Sequence, residues 1–100
     1  MPTPIPIEQR RIHIWVTGRV QGVGFRAFVI DVAEQLTLTG WVRNVGHETV
    51  EAVAEGPYEK LNRFSEIVKA GPRAGRVDDT RIELESPSGE FTDFRVRNSV

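Results

Sequence analysis

The spacing of apolar residues along this chain switches between two periods, and the switching restricts its fold more than any other feature. In Ile12-His13-Ile14-Trp15-Val16-Thr17, branched and aromatic residues alternate, with Ile12, Ile14 and Val16 on one side. A period of two belongs to a strand with one buried face, and Gly18 ends it. From Phe25 the apolar residues recur at steps of three and four, through Phe28/Val29, Val32/Ala33 and Leu36, while Asp31, Glu34 and Gln35 face elsewhere. That spacing predicts an amphipathic helix over 26–36. Gly40 then opens a strand over 41–45, and a turn near Gly46-His47-Glu48 leads into a partner over 49–54. There Val50, Ala52 and Ala54 share one face, and Glu51 and Glu55 take the other. The pair reads as a β-hairpin. Gly56-Pro57 breaks that strand. Leu61, Phe64 and Ile67/Val68 mark a second helix, with Lys69 near its negative end and Gly71-Pro72 as its stop. The stretch 77–85 is expected to carry Ile82 and Leu84 inward. Pro87-Ser88-Gly89 then turns the chain into a short last strand over 91–97.

The resulting order, β-α-β-β-α-β with an extra terminal strand, predicts an α+β fold of the ferredoxin-like, split β-α-β kind. Two helices should lie on one face of an antiparallel sheet of four to five strands. One hundred residues suffice for one such domain, expected over 11–100, and leave no room for two. Residues 1–10 carry Pro2, Pro4 and Pro6 and read as an extended, flexible tail. The same prolines interrupt any signal-peptide core, and no run approaches the ~20 apolar residues of a membrane span. A net charge of −1 supplies no field for nucleic acid or an anionic membrane. The absence of cysteine excludes disulfides, iron–sulfur clusters and thiol chemistry. His13 and His47 are too far apart to form a helical ligand pair, so no metal and no cofactor is expected. A monomeric cytoplasmic domain is the expected class.

The chemically informative stretch is Gly18-Arg19-Val20-Gln21-Gly22-Val23-Gly24-Phe25-Arg26, between the first strand and the first helix. Glycines here let successive N–H groups converge, and a helix N-terminus follows, an arrangement that favours an anion such as phosphate. The same glycines would also serve a tight connection that needs close packing, and both readings fit. Arg26 adds a rigid fork of donors able to engage a phosphoryl group twice over. No Gly-Lys-Ser/Thr follows, so the loop is not of the Walker type, and its spacing does not match a dinucleotide fingerprint. In Gly40-Trp41-Val42-Arg43-Asn44, the amide of Asn44 could hold a water molecule in one orientation, or could simply serve the turn after it.

VQGVGFR, with Asn44 of GWVRN eighteen residues beyond Arg26, resembles the acylphosphatase family. The likeness extends from about Ile12 to Arg97 and takes in TVEAVAEG, Gly71-Pro72 and the closing FRVR. It implies an enzyme that hydrolyses the carboxyl–phosphate anhydride of acyl phosphates to a carboxylate and orthophosphate, without metal. By motif position it implies that Arg26 binds the phosphate and Asn44 positions the attacking water. The backbone amides of Val20, Gln21, Gly22, Val23, Gly24 and Phe25 would form the cradle.

Two departures stand out. His47-Glu48 replaces the Asp-Gly that many relatives carry after the asparagine. Thr37 replaces a glycine at the helix end, where a positive φ would cost about 1 kcal/mol. A non-catalytic phosphate sensor, or a domain like that of the hydrogenase-maturation carbamoyltransferase, would share the scaffold. Gly24-Phe25-Arg26-Ala27-Phe28 also resembles an RNA-recognition signature, but it falls where a helix should begin, not on a sheet face.

Overall fold

The computed structural model describes residues 8–100, so the expectation of a flexible tail lies, for residues 1–7, outside the described residues. The elements run β1 (Gln9–Arg19), α1 (Phe25–Gln35), β2 (Thr39–Val45), β3 (Thr49–Pro57), α2 (Tyr58–Ala70), β4 (Arg76–Glu85) and β5 (Phe94–Val96). They form one five-stranded sheet in the order β4-β1-β3-β2-β5. Both helices pack on the same face, which is the expected ferredoxin-like α+β architecture. β1 starts earlier than its apolar alternation indicated, because Gln9 and Arg10 pair with Pro57 and Gly56 of β3.

Strand alternation builds the core directly. Ile12, Ile14 and Val16 of β1, Val42 of β2, and Val50, Ala52 and Ala54 of β3 point to the helices and are buried. Phe25 and Val29 of α1 and Leu61, Phe64 and Val68 of α2 meet them. Full burial of each larger side chain contributes about 1.5–3 kcal/mol before ordering costs. α2 ends at Gly71, whose N–H bonds the carbonyl of Ile67. Thr37 takes the left-handed conformation at φ 57. Leu38 N–H reaches back over it to the Ala33 carbonyl at 2.8 Å, the bond that closes a helix end of this kind.

Two expectations need correction. The sheet is not wholly antiparallel, since β5 runs parallel to β2, with Gly40 opposite Phe94 and Val42 opposite Val96. Pro87-Ser88-Gly89 lies in the crossover from one edge of the sheet to the other. The chain leaves β4 at one edge of the sheet, at the end where β2 begins, crosses that same end to the other edge and turns back, so it enters β5 in the direction of β2. Ile82 and Leu84 do share a face with Ile14 and Ile12, their partners in register. They are nonetheless 41% and 43% exposed. α2 rests on β1 and β3, α1 on β2 and β5, and the edge strand β4 projects beyond their cover.

The core-facing side of β2 ends in Asn44, opposite Val50. β1 runs in the same direction as β2 and delivers the chain at that same end of the sheet to the glycine loop and the start of α1.

Candidate active site

α1 begins without a side-chain cap. Its N-cap is Gly24, in the left-handed region at φ 75, and no acidic residue lies in the first turn. From Val20 to Ala27, no backbone N–H finds a protein acceptor among the described residues. Phe28 is the first that does, donating to the Gly24 carbonyl at 3.0 Å. A Cβ built on Gly22 or Gly24 would meet nothing within 4 Å. The close-packing reading of these two glycines therefore falls away. Their positive φ bends the backbone, and their missing side chains leave its donors facing open space.

Loop, helix start and strand end enclose one cleft of about 360 Å³. Its polar part consists of Gln21, Gly22, Gly24, Arg26 and Asn44. Arg26 is half-buried, and among the described residues no carboxylate lies within ion-pair reach of it. Six of the ten other arginines are committed: Arg10 to Glu8, Arg11 to Glu85, Arg43 to Glu51, Arg76 to Asp78, Arg81 to Glu83 and Arg95 to Asp93. The Asn44 side-chain oxygen is buried and has no hydrogen-bond donor among the described residues. Among the described residues no acidic or histidine side chain lines the cleft. What the arrangement can do is bind and polarise a phosphoryl-sized dianion; it has no side chain suited to proton transfer.

The side chain of Gln21 does something its position in the motif did not indicate. Its amide donates to the carbonyls of Gly46 and Thr49, at 3.1 and 3.0 Å. Gly18 N–H donates to the Glu48 carbonyl at 3.0 Å, and the hydroxyls of Thr17 and Thr49 meet at 3.2 Å. The β2–β3 turn is thereby fastened to the loop, which holds Asn44 in register with the cradle. Only the general amide chemistry of glutamine hinted at this, because both acceptors lie far off in sequence. Replacing Asp-Gly by His47-Glu48 does not undo the turn, since Gly46 supplies the positive φ at 60.

Other candidates lie elsewhere. Trp41, which could have walled an acyl group, is on the opposite face of the sheet, with the guanidinium groups of Arg97 and Arg43 4.5 and 4.9 Å from its ring centre. Arg95 and Arg97 accordingly lend no charge to the cleft. His13 is also on that face, its Nε2 2.6 Å from Glu51. It converges there with Glu83 and Glu85, but Arg81 and Arg11 already hold those two carboxylates. The RNA-like stretch stands at a helix start, with Phe25 in the core.

A ferredoxin-like scaffold with an open amide nest and, among the described residues, a guanidinium and a strand-end amide oxygen without protein partners has the donor set of an α+β protein that handles phosphate. The family model for acylphosphatases matches residues 12–96, and the chain belongs to the acylphosphatase family. It is 49% identical to an acylphosphatase of Trichormus variabilis, across 100% of this chain and 99% of that protein. The crystal structure of acylphosphatase from Bacillus subtilis superimposes with a TM-score of 0.84 at 39% identity, covering 88% of this chain and 98% of that one. Full-length HypF, in its phosphate- and nucleotide-bound form, matches with a TM-score of 0.82 at 29% identity, over 92% of this chain and 12% of that one. The protein is an acylphosphatase, acting on acyl phosphates and releasing phosphate. Among the described residues no helix is long and apolar enough to cross a membrane.

Proposed function

We propose that hydrolysis proceeds by attack of water on phosphorus, with the amides of Val20 to Phe25 and the guanidinium of Arg26 seating the phosphoryl group and Asn44 aligning the water. The carrying observation is the Asn44 side-chain oxygen, buried without a donor in the same cleft as Arg26 and the unbonded amides. A water bound there donates one proton to that oxygen and turns a lone pair toward phosphorus. The P–O bond to the acyl oxygen breaks as the new P–O bond forms. The acyl carboxylate leaves with the bonding pair, and the water's protons pass to phosphate and solvent. A carboxylate is a weak base and leaves without a general acid, in keeping with a cleft lined by no proton donor of suitable pKa. Positioning and charge neutralisation supply the catalysis. Neither a metal nor an organic cofactor is needed. The protein works as a monomer in the cytoplasm and has no nucleic-acid partner, a reading supported by its near-zero net charge and by a cleft that one chain completes.

Benzoyl phosphate hydrolysis in the presence of a chelator tests this reading, with Asn44→Ala alongside and ¹⁸O-labelled water as solvent. Turnover should survive the chelator and place the label in phosphate. Asn44→Ala should lose about a hundredfold in rate. Label in benzoate, or near-normal turnover by the variant, would refute the assignment.

A further inference from the structure

On the sheet face that the helices leave uncovered, three side chains from two strands converge, away from the cleft. His13 of β1 stands opposite Glu83 of β4, and Glu85 follows two residues on, so all three project from the same face. One donor atom from each lies within 4.8 Å of the other two. Spacing along the chain excludes a helical histidine pair, but a trio across two strands exists only once they are in register. The surroundings hold each donor in place. Nε2 of His13 is 2.6 Å from Oε2 of Glu51, a buried carboxylate on β3. β1 lies between β3 and β4. With its proton on Nε2 toward Glu51, the neutral ring keeps its lone pair on Nδ1, the nitrogen left for Glu83 and Glu85. Trp15 stacks on the ring, with centroids 3.7 Å apart, and fixes its plane. Arg81 donates to Oε1 of Glu83, and Nε of Arg11 is 3.1 Å from Oε1 of Glu85. Each arginine thus holds one oxygen, and among the described residues no hydrogen bond reaches Oε2 of either carboxylate. Outer partners of this kind set the lone pairs of a histidine and its companion carboxylates toward a metal.

We propose that His13, Glu83 and Glu85 bind a divalent ion of the zinc class, with water completing its coordination. One imidazole nitrogen and two carboxylates suit Zn²⁺ or Ni²⁺ better than Ca²⁺ or Mg²⁺, which take oxygen ligands alone and in larger number. Around Zn²⁺ at about 2.0–2.1 Å, tetrahedral donors lie about 3.4 Å apart, so the trio closes by roughly an ångström. The glutamate side chains, each 39% exposed, have room to make that change. Arg11 and Arg81 weaken the hold on a cation by repulsion, while they orient both carboxylates. The ion ties the edge strand β4 to β1. It takes no part in hydrolysis, because Arg26 and Asn44 lie on the other side of the sheet.

Calorimetric titration of the full chain with Zn²⁺ and with Ni²⁺ tests the site, with tryptophan emission followed in parallel. One ion per chain should bind. Ni²⁺ should quench the emission, since Trp15 stacks on the liganding ring, and Zn²⁺ should compete and restore it, whereas Ca²⁺ and Mg²⁺ should not. Glu83→Gln/Glu85→Gln, two isosteric changes on an edge strand, should weaken binding by about tenfold or more, at least the cost of losing an outer partner. His13→Gln should abolish the quenching, and the edge variant gives the same reading should His13→Gln fail to fold. Turnover of benzoyl phosphate should be the same with and without Zn²⁺ and in the edge variant. Undiminished affinity in that variant would put the ion elsewhere, on His47 or a terminus, and overturn the site. Absence of saturable binding would overturn it too.

Discussion

On the face of the sheet that the helices leave open, Glu51 lies between His13 and Arg43, each at 2.6 Å. Glu55 there accepts hydrogen bonds from the N–H and hydroxyl of Ser88 and the N–H of Gly89, at 2.8–2.9 Å. In the cleft on the other side, among the described residues, Arg26 has no such partner and Asn44 keeps a buried oxygen without a donor. Both regions place polar groups out of full contact with water. The open face satisfies its two buried carboxylates internally, though Arg11 Nε there is paired with Glu85 by charge and not by a hydrogen bond, and in Glu55 it uses one carboxylate to latch the 86–93 crossover that carries the chain to β5. The cleft leaves them unsatisfied, at a cost in stability, and so keeps them available to a ligand. A satisfied polar group holds structure, and a withheld one stays open to a ligand.

The strongest way to break this contrast is to remove one group from each side. Arg26→Ala should lower kcat/KM by about 100- to 1,000-fold, the usual range for one strong donor to a transition-state oxyanion. Its melting temperature should stay within about 3 °C of the wild type, since no protein partner is lost. Glu55→Ala should do the opposite. Three donors lose their acceptor, at a cost of about 2–3 kcal/mol, or on the order of 10 °C for a domain of this size, while turnover per folded molecule changes less than about twofold. If thermal melting and benzoyl phosphate kinetics showed both variants failing in the same way, the division between the two faces would be lost.

Acid sharpens the comparison. Burial pushes the Glu51 carboxyl up, but the hydrogen bonds and charges of His13 and Arg43 outweigh it and leave the pKa below the usual value. Burial acts likewise on Glu55, outweighed by Ser88, Gly89 and Arg11. A folded-state pKa below the unfolded one contributes stability that is present above the ordinary glutamate pKa of about 4.3. That stability is lost as pH falls through the folded value. The urea midpoint of the wild type should therefore fall below about pH 4.3 more steeply than that of Glu55→Gln, which has no proton to take up there. Parallel pH profiles would show that Glu55 is not the latch. The smallest expected effect is at Thr37, where φ 57 strains a side chain. Thr37→Gly relieves that strain but frees the unfolded chain as well. A net gain of about 0.5–1 kcal/mol should be read in urea titration, and a loss would mean that the Lys60 contact to its hydroxyl outweighs the strain.

Local features of this molecule were legible as sequence. The alternation at Ile12, Ile14 and Val16, the three- and four-residue steps after Phe25, and the strained position of Thr37 depend on neighbours within a few residues. Chain geometry alone converts them into strand, helix and helix end. The candidate loop was legible in part, since Gly22, Gly24 and Arg26 fall within five residues. Whether the glycines opened the backbone or packed it depended on what faces them from elsewhere.

The rest depended on partners far apart in the chain. The direction of β5 followed from a crossover that Glu55 pins from more than thirty residues away. The exposure of Ile82 and Leu84 followed from how far α2 reaches across the sheet, and the task of Gln21 from carbonyls beyond Asn44. Apolar period and glycine placement were enough to specify the elements, and the arginine after the loop enough to suggest an anion as ligand, because those act through backbone geometry over one or two turns. The cleft that brings Arg26 and Asn44 together and the satisfied carboxylates of the opposite face arose only on folding, because burial and hydrogen bonding between distant residues exist only once the strands are in register.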